Sequence, residues 1–257
     1  KEDSIGESAT SSFSATGLTN NTEYHFQVAA VDSSGYRGSF SQEISAIPEY
    51  KGPVWWVDDV SGSNNGDGSS SSPLLSINSA VTMAAAGDTI KLLPGNYGND
   101  NLNTDILLDK SISIIGVGGP DQTIIDANGG SVHFQMNGES VIVRLKGIQF
   151  TNGYDNNNQR GGSLYVTDID SLIVTNCIFT NNFSNQSSGV MHLHKTESVF
   201  RNVDFINNGV GTNNDDQYAI AGVFNVSGEE NDKIYTAKFI ECIFENNGVN
   251  TSGSNSG

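Results

Sequence analysis

LKGIQFTNG (145–153), VTNCIFTNN (174–182), FRNVDFINN (200–208) and FIECIFENN (239–247) are four versions of one phrase: apolar, polar, phenylalanine, polar, asparagine. Their phenylalanines, Phe150, Phe179, Phe205 and Phe244, are 29, 26 and 39 residues apart. Short apolar segments that return at such intervals, with Asn and Gly between them, predict a solenoid in which each strand pairs with its equivalent in the next coil. Paired strands lie ~4.8 Å apart, so equivalent side chains form columns. Ile148, Cys177, Val203 and Cys242 are expected to point inward beside the phenylalanines. Asn152, Asn181 or Asn182, Asn207 or Asn208, and Asn246 or Asn247 are expected at the corners, where stacked amides bond along the axis and Asn tolerates left-handed backbone.

A second register precedes the first in each coil. It reads GSVHFQM from Gly130, GSLYVTD from Gly162, GVMHLHK from Gly189 and GVFNVSG from Gly222. Aligning the glycines puts Val132/Phe134, Leu164/Val166, Met191/Leu193 and Phe224/Val226 inside. The outward residues then form a ladder of His133, Tyr165, His192 and Asn225, with Gln135, Thr167, His194 and Ser227 beside it. The 39-residue spacing predicts that GVGTNNDDQY and GEENDK bulge out as loops, because polar additions at a corner cost little closure entropy.

The segment ahead of the repeat, WWVDDVSGSNNGDGSSSSPLLSINSAVTMAAAGDTIKLLPGNY, combines a Gly/Asp/Ser loop, a helical apolar spacing at Ile77, Ala80, Val81 and Ala84, and a first strand. Ser76 or Asn78 suits the helix N-cap. From Val54 onward the chain resembles the right-handed parallel β-helix of the pectin lyase-like superfamily, whose secreted members carry such an amino-terminal cap. The resemblance implies an all-β chain with one short capping helix. The cap and first coil fall in 51–98 and the β-helix runs over 51–257, its C-terminal end expected to be incomplete.

Residues 12 to 47 read as three short β segments, SFSATG, TEYHFQVAAV and SFSQEISAI. Leu18, Thr22 and Tyr24 have the spacing of a tyrosine corner, in which the phenol bonds to upstream backbone. This stretch resembles the last three strands of a fibronectin type III domain, which implies a partial sandwich over 1–50 and a place in a longer multidomain protein. Half a sandwich exposes an apolar face and a strand edge, so it is not expected to stand alone.

The 257 residues carry 12 Lys+Arg against 29 Asp+Glu, a net charge of −17. That balance disfavours nucleic acid and anionic membranes as partners, and no apolar run approaches a membrane span. Cys177 and Cys242 share a phase two coils apart, ~9.6 Å, too far for a disulfide, and read as small core residues.

His133, Tyr165, His192, Asn225 and His194 are the candidate ligand-binding residues. Aromatic and imidazole groups in a row can stack sugar rings and hydrogen-bond hydroxyls, although the same row also reads as a solvated sheet face. Lyases of the β-helix class neutralise a uronate with Ca2+ or Arg and abstract a proton with Lys, Arg, Tyr or His. By that resemblance Tyr165, His192 and Lys195 are candidate bases, Asp168 and Asp170 candidate ligands, and Arg160 or Arg201 carboxylate partners. No motif of a particular lyase is present. Asp58, Asp59 and Asp67 in their Gly/Ser/Asn loop, or Asp215 and Asp216, are candidate Ca2+ ligands, with solvated turns as the alternative.

Three functions follow from these readings. The first, non-catalytic, is a segment of a large secreted or cell-surface protein used for adhesion, glycan binding or scaffolding, with polysaccharide and neighbouring domains as partners. The second is a polysaccharide lyase or glycoside hydrolase, and the third a structural or cargo chain within a larger assembly.

Overall fold

The computed structural model describes residues 5–10, 12–98, 102–156, 161–185, 188–211, 222–230 and 233–250. The chain divides into two compact units, 1–51 and 52–257.

In the first unit Tyr24–Phe26 pairs antiparallel with Ile44–Ala46. The Tyr24 hydroxyl accepts a hydrogen bond from the Thr19 backbone N–H at 3.0 Å, the bond expected of a tyrosine corner. Residues 12–17, expected as a strand, form none. No described residue of this unit is fully buried, and Val28 and Ile44 are 73% and 66% exposed. Too little apolar area is removed from water there to define a sandwich core.

The second unit is a parallel β-helix. Its widest sheet contains the strands Val54–Val57, Thr89–Leu92, Ile112–Gly116, Ile142–Lys146, Ser171–Thr180, Glu197–Ile206 and Ala237–Ile240, paired in parallel. A second sheet stacks Ile106–Leu108, Phe134–Asn137, Leu164–Thr167, Met191–His194 and Phe224–Ser227. A third, narrow one stacks Tyr154–Asp155, Phe183–Ser184, Gly209–Gly211 and Gly248–Asn250.

Phe150, Phe179, Phe205 and Phe244 form one column, in register throughout. Their rings stack at 4.8, 5.4 and 4.9 Å between centroids. The first three are buried; Phe244, in the last described coil, is 50% exposed. Alternation explains the column, since every second side chain of a strand faces the same way.

The corners resolve the choice of asparagine. Asn152, Asn181, Asn207 and Asn246 take left-handed backbone angles, φ 53–57°. The residues after the second and third of these, Asn182 and Asn208, turn inward and are buried. Burial removes Asn182 as an acceptor of N-linked glycan, although it begins an N-x-S sequon.

The helix Ile77–Met83 is capped by the Ser76 side chain, which accepts from Ser79 N–H, and buries Ile77, Ala80 and Val81. Lys110 Nζ donates to the carbonyls of Val81 and Ala84 at 2.9 and 3.0 Å, a cation at the negative end of the helix dipole. Asp88 ties this cap to the first strand by accepting from Trp55 Nε1 at 2.8 Å and Ala85 N–H at 2.9 Å.

Two expectations of register are corrected. Gly209–Gly211, assigned above to a loop, is a strand of the narrow sheet with Val210 buried; residues 212–218 lie outside the described residues. Within GEENDK, also expected as a loop, Glu229–Glu230 pairs antiparallel with Lys233–Ile234 in a two-stranded sheet separate from the parallel ones; residues 231–232 lie outside the described residues. In the second sheet Leu164 pairs with Phe134, not Val132, and Tyr165 pairs with Gln135, not His133. The corner before that strand consumes Val132 and His133, both of which it buries.

Cys177 and Cys242 are both free thiols, Cys177 buried and Cys242 partly exposed.

Candidate functional site

The parallel pairing places Gln135, Tyr165, His192 and Asn225 in one row across four adjacent strands of the second sheet. Thr167, His194 and Ser227 form the next row on the same face. Inward neighbours Leu164, Val166, Met191 and Leu193 are buried, so the core fixes the outward aim of this row. Tyr165, His192, His194 and Asn225 are half-buried. The Tyr165 and His192 rings lie 5.6 Å apart at 43°, and His192 and His194 lie 6.4 Å apart. His194 Nδ1 is 3.1 Å from Ser227 Oγ. Gln135 Nε2 donates to Asp105 Oδ1 at 2.6 Å, which anchors one end of the row.

Burial, followed by the neighbouring His194, holds the His192 imidazole below the usual histidine range. That favours the neutral imidazole, in which one ring nitrogen accepts and the other donates. Three rings of mixed polarity on one sheet face can cover the apolar side of a pyranose while their heteroatoms meet its hydroxyls.

His133 does not belong to this face. It is fully buried, with Nε2 3.1 Å from both the Ile125 and Thr151 carbonyl oxygens and Nδ1 2.9 Å from Ser163 Oγ. A nitrogen facing two carbonyls donates, so Nε2 carries the proton and Nδ1 accepts from Ser163. Burial pushes its pKa down to about 4. It is a neutral core histidine, and Gln135 takes its expected place in the ladder.

Among the described residues the candidate lyase groups do not gather on one sheet. Arg201 lies on the outer side of the widest sheet, paired with Thr175, whereas Tyr165 and His192 lie on the second. Asp168 and Asp170 are exposed at the corner that follows the Tyr165 strand, and Arg160 lies outside the described residues.

Asp58, Asp59 and Asp67 do not converge into a Ca2+ site. Asp58 accepts from Val60 and Ser61 N–H at 2.9 and 3.1 Å and from Ser61 Oγ, which closes a turn. Asp59 Oδ2 accepts from Asn96 N–H at 2.8 Å, and Asp67 Oδ1 from Ser69 N–H at 2.9 Å. Among the described residues no three His, Cys, Asp or Glu side chains are grouped to hold a metal ion. Asp215 and Asp216 lie outside those residues.

One aromatic pair escaped the sequence reading. Tyr154 and Phe183 stack at 6.0 Å and 12° on the narrow sheet, with Asn185 Nδ2 donating to the Tyr154 hydroxyl at 3.0 Å. Their signal is positional: each stands two residues after a left-handed Asn corner, Asn152 or Asn181.

No protein-family model and no curated protein sequence matches the chain. Among solved structures it is similar to a rhamnogalacturonan lyase at 12% identity and a TM-score of 0.41, over 80% of this chain and 64% of that one. A pectin methylesterase in complex with a hexasaccharide is similar at 12% identity and a TM-score of 0.35, over 69% and 67%. Pectin methylesterase PemA from Erwinia chrysanthemi is similar at 13% identity and a TM-score of 0.32, with the same coverage. The chain spans just under two-thirds of the lyase's length.

Proposed function

We propose that this chain is a polysaccharide-binding β-helix segment of a secreted or cell-surface protein, and that it takes glycan along the row Gln135, Tyr165, His192 and Asn225. The observation that carries this reading is the Tyr165–His192 ring contact at 5.6 Å across adjacent coils, continued by His194. The rings present area to sugar faces and the amides hydrogen-bond hydroxyls, at a spacing that the solenoid repeats. A screen of neutral glycans against the whole chain tests it. Tyr165→Ala with His192→Ala should abolish binding and leave the thermal transition nearly unchanged, because both side chains project from the sheet. Undiminished binding by that variant would refute the site.

One observation favours a second reading, cleavage on the same face. The neutral imidazole of His192 beside a phenol is a state that a general base requires. New ultraviolet absorbance from an unsaturated uronate, lost on His192→Ala, would establish lyase chemistry.

A further inference from the structure

The outer side of the widest sheet gathers cations that the sequence scatters. In the row that starts at Trp56, Lys91 is its neighbour, Lys146 follows two strands on and Arg201 two strands further. The row that starts at Val54 holds Arg144 and Lys238. These five are a large share of the 12 Lys+Arg in a chain of net charge −17, and neither row contains a carboxylate. Glu197 and Asp204 flank the two rows on the same strands. Arg144, Lys146, Arg201 and Lys238 are exposed, and none of the five cations forms an ion pair among the described residues. Lys91 Nζ sits 4.6 Å above the Trp56 ring, and Ile115 separates Lys91 from Lys146.

We infer that this face is a second binding site, for a linear anionic glycan that carries about one carboxylate or sulfate per disaccharide. Two strand steps separate Lys91 from Lys146 and Lys146 from Arg201, so the cations recur every ~9.6 Å along the solenoid axis. That interval suits an anion on alternate sugars, with Ile115 supplying apolar surface between Lys91 and Lys146, and Trp56 beside Lys91 at the end of the row. A carboxylate-free strip on an acidic protein concentrates positive potential locally. Nucleic acid, with far denser charge, is repelled by the rest of the surface more strongly than it is attracted by five separated cations. The site is independent of the Tyr165 row, which lies on another sheet and lacks this charge.

Titration of the whole chain with hyaluronate, which has one carboxylate per disaccharide, tests the inference. Binding should weaken as salt rises and should fall about tenfold or more in Lys91→Gln/Lys146→Gln/Arg201→Gln, the sum of three exposed charge contacts. A second variant, Arg144→Gln/Lys238→Gln, should lose a smaller factor and guards against misfolding of the first. Tyr165→Ala/His192→Ala should bind hyaluronate as the unaltered chain does, even where neutral glycan binding is lost. Absence of binding, or binding unchanged in both cation variants, overturns the site. Equal affinity for a single-stranded oligodeoxynucleotide overturns the assignment to a glycan.

Discussion

Asn182 and Asn208, 26 residues apart in sequence, are joined side chain to side chain inside the solenoid: Asn182 Nδ2 donates to Asn208 Oδ1 at 3.0 Å. The same Oδ1 accepts from the Asn182 backbone N–H at 3.0 Å, and Asn208 Nδ2 donates to the Phe179 carbonyl and to Asn247 Oδ1, both at 2.9 Å. Asn247 repeats the pattern on the next coil, where its Nδ2 donates to the Phe205 carbonyl at 2.7 Å. Each amide thus satisfies two backbone groups of the coil before it, one N–H and one carbonyl. Gly153 ends the ladder, since a Cβ there would meet Asn182 Oδ1 at 2.7 Å and the Gly162 carbonyl oxygen at 2.3 Å.

Asn208→Ala should destabilise the β-helix by about 3 kcal/mol, because it strands the Asn182 N–H and the Phe179 carbonyl without partners. Urea denaturation followed by circular dichroism measures the loss. Asn207→Ala, at the exposed left-handed position, should cost about 1–2 kcal/mol through backbone strain alone.

His133 makes stability depend on acid. Its pKa is about 4 when folded against an ordinary 6.5, so the neutral form is favoured in the fold. Stability is full above pH 6.5, declines as the pH falls toward 4, and by that gap loses roughly 3 kcal/mol. His133→Gln should flatten this part of the pH profile in urea titrations, while other acid-titrating groups still act below it.

The phenylalanine column grades with burial. Phe179→Ala removes a fully buried ring stacked on both sides and should cost ~3 to 5 kcal/mol. Phe244→Ala, at a half-exposed ring, should cost about half as much or less. Thermal unfolding of the two variants compares them directly.

Burial pushes the Cys177 thiol up to about 12, so little of it is thiolate at neutral pH. A thiol reagent applied to the folded chain should label Cys242, which is partly exposed, and reach Cys177 only after denaturant is added.

The coils, their Phe column and the Asn corners were legible because a strand's alternation and a left-handed turn each leave a residue-type signature. His133 was misplaced for a physical reason. Val132, Phe134 and Met136 alternate equally well in either of two registers, and only the length of the preceding corner decides between them. The cationic rows were illegible because Lys91, Lys146 and Arg201 are each 55 residues apart, and pairing alone brings them into line. That Arg201, a candidate partner for a substrate carboxylate, lies on a different sheet from Tyr165 was illegible likewise, since sequence order does not reveal which of three sheets a strand joins.

The central proposal, glycan held on the Tyr165–His192 row, is tested most directly by hydroxyl-radical footprinting of the whole chain with and without a bound neutral glycan. Tyr165, His192 and His194 should be protected, while Tyr154 and Phe183, the competing stack on the narrow sheet, should be modified at unchanged rates. Protection of Tyr154 and Phe183 with Tyr165 and His192 unaffected would contradict it.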